Sequence, residues 1–430
     1  MPGVPDMLTP MRPIGAAFLV ALGLGLAVRW WLASRQIAAA RAHRERVPEP
    51  FAAEVALPEH QKAADYCVAR VRLGRIEAVI DAVALLALTV GGGISALDAL
   101  WRKVLATEPW HGALVIASVL ALLGALGTPF SLWRTFRVEA AFGFNRTTLA
   151  TFALDRLKGI VLALLIGGPL LLAVLALMQR AGSRWWLYAW LVWICLSAAI
   201  SWAWPAFIAP LFNRFSPLSD AALKARIEAL LERCGFTAKG VFVVDSSRRT
   251  AHGNAYFTGL GRNKRIVFFD SLIGRLAGAE IEAVLAHELG HFRLRHVAKR
   301  LTVMAAGALG GLALLALLAR LPQFYTALGV EVPSAHAALL LFMLVAPVFT
   351  FFLTPLETLW SRHHEFAADR FAARYASASQ LATALVKLYR DNATTLTPDP
   401  ISSAFYDSHP PALARIAYLR RLALAQAPSA

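Results

Sequence analysis

Residues 112–133 read GALVIASVLALLGALGTPFSLW, 22 positions in succession without an acidic or basic side chain. A helix rises about 1.5 Å per residue, so this run covers the roughly 30 Å hydrocarbon core of a bilayer, where every backbone polar group must be satisfied inside the segment. Comparable runs lie at Ile14–Ala33, Ile76–Ile94, Gly159–Met178, Trp185–Trp204, Leu301–Leu318 and Ala337–Leu356. The whole chain agrees: 58% of its 430 residues are hydrophobic and 16% charged, which is too apolar for an ordinary soluble protein. Seven spans are expected, two of them irregular. The second carries Asp81 and the run Gly91-Gly92-Gly93, and the sixth begins inside a strongly polar helix.

The formal charge of +16 does not point to nucleic acid, because the basic residues cluster beside alternate spans, as the positive-inside rule requires. Arg35, Arg41, Arg44, Arg46, Lys62, Arg70, Arg72 and Arg75 follow the first span, and Arg134, Arg137, Arg146, Arg156 and Lys158 follow the third. The amino terminus is therefore expected outside and the carboxyl terminus in the cytoplasm. The first span has no A-x-A-like cleavage site after it and reads as a retained anchor. Cys67, Cys195 and Cys234 are too scattered for a disulfide framework or a cysteine metal site.

From about Phe207 to Arg300 the apolar runs shorten and charges return. The spacing predicts a surface helix over Ala221–Arg233 with Ser219 or Asp220 as its cap. Short strands are expected at Val241–Val244, Asn254–Thr258 and Arg265–Phe269, and one helix over Gly278–Arg300. The organisation read from these patterns is a membrane region over 1–206, a catalytic domain over 207–300, two further spans over 301–356, and a second catalytic segment over 357–430. The last residues, Ala425–Ala430, read as a loose tail.

Within the predicted Gly278–Arg300 helix, His287-Glu288-Leu289-Gly290-His291 is H-E-x-x-H, and a spacing of four puts both imidazoles on one helix face, able to share a Zn²⁺ ion. The apolar positions Ile281, Val284, Leu285, Leu289 and Phe292 would make this segment helical whether or not it binds metal. A hydrolytic zinc takes three protein ligands and leaves one place for water. Glu365, in the polar run Ser361–Asp369 directly after the last span, is the candidate third ligand, with His363 and His364 as alternatives. Asp369, one turn further on, can accept the outer N–H of a metal-bound histidine. Glu288 then takes the role of base for the hydrolytic water, and a peptide bond is the natural target. A plain solvated acidic face on that helix, or an ion-handling transporter or receptor, are the competing readings. Transport sites usually lie at the bilayer midplane, however, whereas these residues flank spans.

The motifs His287–His291 and Glu365-Phe366-Ala367-Ala368-Asp369, together with Asn254-Ala255-Tyr256-Phe257, Phe142-Gly143-Phe144-Asn145 and Ile208-Ala209-Pro210-Leu211-Phe212-Asn213, resemble segments of the type I CAAX prenyl protease family, membrane zinc peptidases of the gluzincin kind. The resemblance implies a mostly α, polytopic fold: about seven transmembrane helices around a water-filled chamber, with a cytoplasmic zincin-like α+β catalytic domain and a single Zn²⁺. It implies that Asn254, with Ala255 and Tyr256, lies on an edge strand that pairs with the substrate backbone, and that His409 donates to the oxyanion. By themselves, Asn254 reads as a strand-end residue and His409-Pro410-Pro411 as a rigid turn. His252, His296 and Arg362 are possible supports of the site, and Arg415 a possible ion-pair partner. Family substrates end in a prenylated cysteine followed by three residues that are removed. The partners implied are the lipid bilayer and a peptide or protein substrate, lipidated ones included, and no nucleic acid. An Ala/Arg/Leu-rich composition suggests a bacterial inner-membrane member, and the long loop that animal members carry between the sixth and seventh spans is here only about Pro322–Ser334. For such a member, damaged membrane proteins are the alternative substrate class.

Overall fold

The computed structural model describes residues 13–236, 240–253, 255–258 and 265–426. Among the described residues, six helical segments are long and apolar enough to cross a membrane: Pro13–Ala42, Trp110–Glu139, Leu149–Arg180, Gly182–Phe212, His296–Leu318 and Ala335–Tyr375. A seventh is the pair Leu57–Leu88 and Gly93–Val104, bent by 55°. All seven expected spans fall inside these segments, and their irregularities have local causes. The second begins at Leu57, well before the apolar run, and breaks at the glycines. Gly92 is left-handed (φ +77°), and a Cβ on Gly91 would lie 2.7 Å from the carbonyl oxygen of Ala87, so no other residue fits that corner.

The expected helix Gly278–Arg300 is in fact two helices, Gly278–Arg293 and His296–Leu318. Arg295 adopts φ 58° between them. Its N–H donates to Phe292 O at 3.0 Å and that of Leu294 to Gly290 O at 3.0 Å, so the last carbonyls of the first helix are satisfied before the chain turns into the membrane. A charged run with no glycine gave no sign of this break. At the other end of the sequence the last helix, Ala412–Gln426, continues into the stretch read as a loose tail.

Between the fifth and sixth spans lies a four-stranded sheet: β1 (Phe215–Pro217), β2 (Val241–Val244), β3 (Ala255–Thr258) and β4 (Arg265–Phe269). The order is β1-β2-β4-β3, with β2 and β4 parallel and the outer pairs antiparallel. β1 was not expected, because three residues ending in proline show no alternation. Proline is tolerated there because β1 is an edge strand. The helix Ala221–Arg233 forms as expected, with Asp220 as the cap that accepts from Leu223 N at 2.9 Å.

Under the sheet lies the H-E-x-x-H helix. Ile281, Leu285 and Leu289, 1%, 2% and 0% exposed, pack with Ile266, Phe268 and Leu385 in one apolar cluster. Burying each such side chain is worth about 1.5–3 kcal/mol, which anchors the helix independently of its polar face. Glu280 caps its start by accepting from Ala277 N at 2.8 Å and pairs with Lys387 at 2.6 Å. A second apolar cluster, built around Phe18, Ile94, Ile116, Val119, Leu175, Leu315 and Leu340, holds the spans together at their other end.

Candidate metal and active site

Glu365 lies on the helix Thr354–Tyr375, which continues the seventh span and packs along the Gly278–Arg293 helix. Gly290 sets how closely they meet. A Cβ there would stand 3.1 Å from both Ala368 Cα and Phe371 Cβ, closer than ordinary van der Waals contact, so the glycine inside the motif lets the second helix deliver its carboxylate.

The resulting geometry is compact. His287 Nε2 and His291 Nε2 are 3.2 Å apart. Glu365 places Oε2 3.5 Å from His287 Nε2 and Oε1 3.3 Å from His291 Nε2. Ligands held about 2.0–2.1 Å from one zinc-sized ion in a tetrahedron stand roughly 3.3 Å apart, so the three side chains fit a metal as they stand. Glu365 Oε2 is buried and, although Arg415 Nη1 lies 3.2 Å away, makes no hydrogen bond, so a bound ion would complete its coordination. His363 and His364 are not in this triangle: the His364 ring stacks on His296 at 3.9 Å and 13° and lies against Trp360.

The surrounding groups fix the protons. Asp369, 0% exposed, lies with Oδ1 2.8 Å from His287 Nδ1, so that nitrogen donates and Nε2 keeps its lone pair for a metal. Arg415, from the helix Ala412–Gln426, grips both oxygens of Asp369 at 2.9 and 2.8 Å, and its Nη1 is 3.2 Å from Glu365 Oε2. Its ion-pair partners are thus these two carboxylates. Burial and Arg415 both disfavour a charged His287, yet Asp369 and Glu365 outweigh them and push its pKa up to about 9. On the other side, His291 Nδ1 meets His296 Nδ1 at 3.0 Å.

Glu288 sits partly exposed beside the triangle, and burial raises its carboxyl above the usual carboxylate range. His409 also reaches the triangle, its Nε2 3.5 Å from Glu365 Oε1. Water reaches 63% of its side chain, but the protein around it disfavours charge and pushes its pKa down. With Ser408 Oγ 3.2 Å from Nδ1, a neutral ring can carry its proton on Nε2 and direct it into the site. Arg362 positions this segment, donating to Asp407 O at 2.9 Å and to Ser403 O and Oγ.

Asn254 lies outside the described residues. Ala255 and Tyr256 lie on β3, the outer strand next to the H-E-x-x-H helix. His252 is elsewhere: its ring stacks on Phe144 at 4.4 Å, and Nδ1 is 3.3 Å from Asn392 Oδ1. It ties the segment after the third span to the catalytic unit rather than lining the metal triangle.

Residues 36–214 match the family described as CAAX prenyl protease N-terminal, five membrane helices, and residues 217–423 match peptidase family M48. Fold and site together define a membrane-embedded zinc metallopeptidase. The chain is 37% identical over 318 residues to the CAAX prenyl protease 1 homolog of Oryza sativa, covering 73% of this chain and 74% of that one. To CAAX prenyl protease 1 of Saccharomyces cerevisiae it is 33% identical, covering 72% and 74%, and to the Homo sapiens homolog 31%, again 72% and 74%. The crystal structure of S. mikatae Ste24p superimposes with a TM-score of 0.87 at 26% identity, over 95% of this chain and 99% of that one. The chain belongs to the type I CAAX prenyl protease family of M48 peptidases, and its membrane helices form a bundle of that chamber type.

Proposed function

We propose that the protein hydrolyses peptide bonds at one Zn²⁺ held by His287, His291 and Glu365, with Glu288 as the general base. The observation that carries this reading is the convergence of the three donor atoms at 3.2–3.5 Å with Glu288 adjacent. Bound there, the cation would supply Lewis acidity for a water and for the scissile carbonyl. Glu288, its carboxyl raised by burial above the usual carboxylate range, takes the proton of the attacking water and passes it to the leaving amine. His409 Nε2–H donates to the carbonyl oxygen as negative charge develops on it. Asp369 keeps His287 in the tautomer whose Nε2 faces the ion, and Arg415 keeps Asp369 ionised and in place.

The substrate extends along β3, where Asn254, Ala255 and Tyr256 meet it as an added strand. β3's position at the outer end of the sheet, beside the catalytic helix, supports this. Substrates are CAAX-type or related lipidated peptides, in keeping with what the relatives are named for. The division into 1–206, 207–300, 301–356 and 357–430 follows where the chain leaves and re-enters its apolar segments. A bacterial inner membrane, with the amino terminus outside and the carboxyl terminus cytoplasmic, is the location that the composition and basic loops support.

The decisive experiment uses purified protein with a farnesylated CAAX peptide, its unprenylated twin and an unfolded membrane protein. Chelator-sensitive cleavage of the first, restored by zinc and absent in Glu288→Gln, is expected. Undiminished turnover by Glu288→Gln would remove the proposed base. Cleavage confined to the membrane protein would move the enzyme to quality control.

A further inference from the structure

A second group of histidines and carboxylates lies at the opposite end of the spans. Asp98 belongs to Gly93–Val104, His111 to the first turn of Trp110–Trp133, and His336 to the first turn of Ala335–Thr350. The span His296–Leu318 joins the two ends of the molecule, and its 23 residues cover about 34 Å at about 1.5 Å each. Asp98 Oδ1 is 2.7 Å from His111 Nε2 and 2.8 Å from His336 Nε2. Both imidazoles are 1% exposed.

The outer contacts decide where the protons go. His111 Nδ1 lies 2.9 Å from Leu105 O, and a carbonyl can only accept, so the ring proton sits on Nδ1 and a neutral His111 turns a bare Nε2 towards Asp98. His336 Nδ1 is buried without a hydrogen bond, although Glu108 Oε1 is 3.2 Å away, whereas its Nε2 meets Asp98 Oδ1 at 2.8 Å and Ser334 Oγ at 3.1 Å. Two imidazole Nε2 atoms therefore converge on one carboxylate oxygen, which only accepts, so either protons or a single cation must bridge them. An imidazole whose outer N–H is anchored on a carbonyl, as that of His111 is on Leu105 O, while Nε2 points at a shared centre is the pattern of a metal-binding histidine. Arg102 Nη2 holds the other oxygen of Asp98 at 2.6 Å, leaving Oδ1 for the centre. The two carboxylates and one guanidinium carry a net single negative charge, which suits a divalent cation.

We propose that Asp98, His111 and His336 form a second metal site, structural in role, for a divalent cation of the zinc class. Two imidazoles and a carboxylate suit that class better than the oxygen-seeking calcium or magnesium. Filling it requires the donor atoms to part by about 0.5 Å, from hydrogen-bond spacing to the roughly 3.3 Å of a tetrahedral edge. An adjoining cavity of about 380 Å³, lined in part by Ser95, Arg102, Lys103, Glu331 and His336, leaves space beside the cluster for that movement. Gly112 holds the partners close, since a Cβ there would lie 2.5 Å from His336 Cβ. The ion would pin the broken second span to the starts of two others.

The test is a metal count on the full chain, purified in detergent and dialysed against zinc. Two zinc ions per chain are expected for the natural sequence. His291→Ala should retain one and cleave nothing. The pair His111→Ala with His336→Ala should retain one and cleave peptide within about twofold of the natural rate. Should that pair fail to fold, Asp98→Asn and X-ray anomalous scattering from the cobalt-loaded natural protein replace it, with cobalt expected at both ends of the membrane helices. A zinc-dependent rise in melting temperature that persists in His291→Ala and disappears in Asp98→Asn would agree. One zinc per chain, lost entirely in His291→Ala, overturns the proposal and leaves protons as the bridge. Two zinc ions surviving the paired substitution overturn it as well.

Discussion

The two ends of this membrane bundle use the same chemical vocabulary, imidazole and carboxylate, with different spacing. At the catalytic end the donor atoms stand 3.2–3.5 Å apart, and the carboxylate of Glu288, next to His287 in the chain, feels the charges of both histidines and of Glu365. At the other end Asp98 sits 2.7 and 2.8 Å from its two histidines, and its second oxygen is tied to Arg102. On the proposed reading the first arrangement adds a carboxylate, Glu288, as a base for water, whereas at the second both nearby carboxylates are already engaged, Asp98 by Arg102 and the two histidines, and Glu108 by His336. Each depends on a glycine that lets backbone and side chain approach, Gly290 in one case and Gly112 in the other.

This contrast can be broken most sharply by His287→Ala, which should abolish zinc at the catalytic end together with all hydrolysis, while metal analysis still detects whatever the far cluster holds. Glu288→Gln should separate binding from chemistry: zinc content unchanged, turnover down about 10²–10⁴-fold, the usual range for a lost general base, measured as single-turnover cleavage. For His409→Gln the fall in kcat should be about 10²–10³-fold at unchanged zinc stoichiometry, as for removal of an oxyanion donor. A drop in KM alone would argue against that role. Asp369→Asn should weaken zinc binding about 10–100-fold by competition with a chelator. The smallest effect belongs to Gly290→Ala, which forces the helices apart by a few tenths of an ångström and should lower zinc affinity only several-fold. Gly112→Ala should leave that affinity untouched.

Most of the membrane half was legible because a lipid solvent allows few solutions: long uncharged runs must be helices. The local half of the site was legible for a similar reason, since H-E-x-x-H expresses contact as spacing along one helix. Glu365 could be chosen because the seventh span ends in a polar run whose carboxylates recur every turn. What the sequence withheld was contact through space. Nothing near His252 in the chain announces Phe144 or Asn392, and nothing near Arg362 announces the Ser403 carbonyl. Asp98 is 13 residues from His111 and 238 from His336, so no motif could join them. The break at Arg295 was hidden because a left-handed arginine leaves no compositional mark, whereas Gly91-Gly92-Gly93 advertised the break in the second span.

The route of the chain between His291 and Glu365 has a consequence for biosynthesis. Two hydrophobic segments, His296–Leu318 and Ala335–Thr350, must be threaded into the bilayer before the carboxylate can meet the imidazoles. A ribosome-bound or half-inserted polypeptide carries the whole H-E-x-x-H helix without a complete cage for its ion. If Glu365 is the third ligand as proposed, hydrolysis begins only once insertion has succeeded.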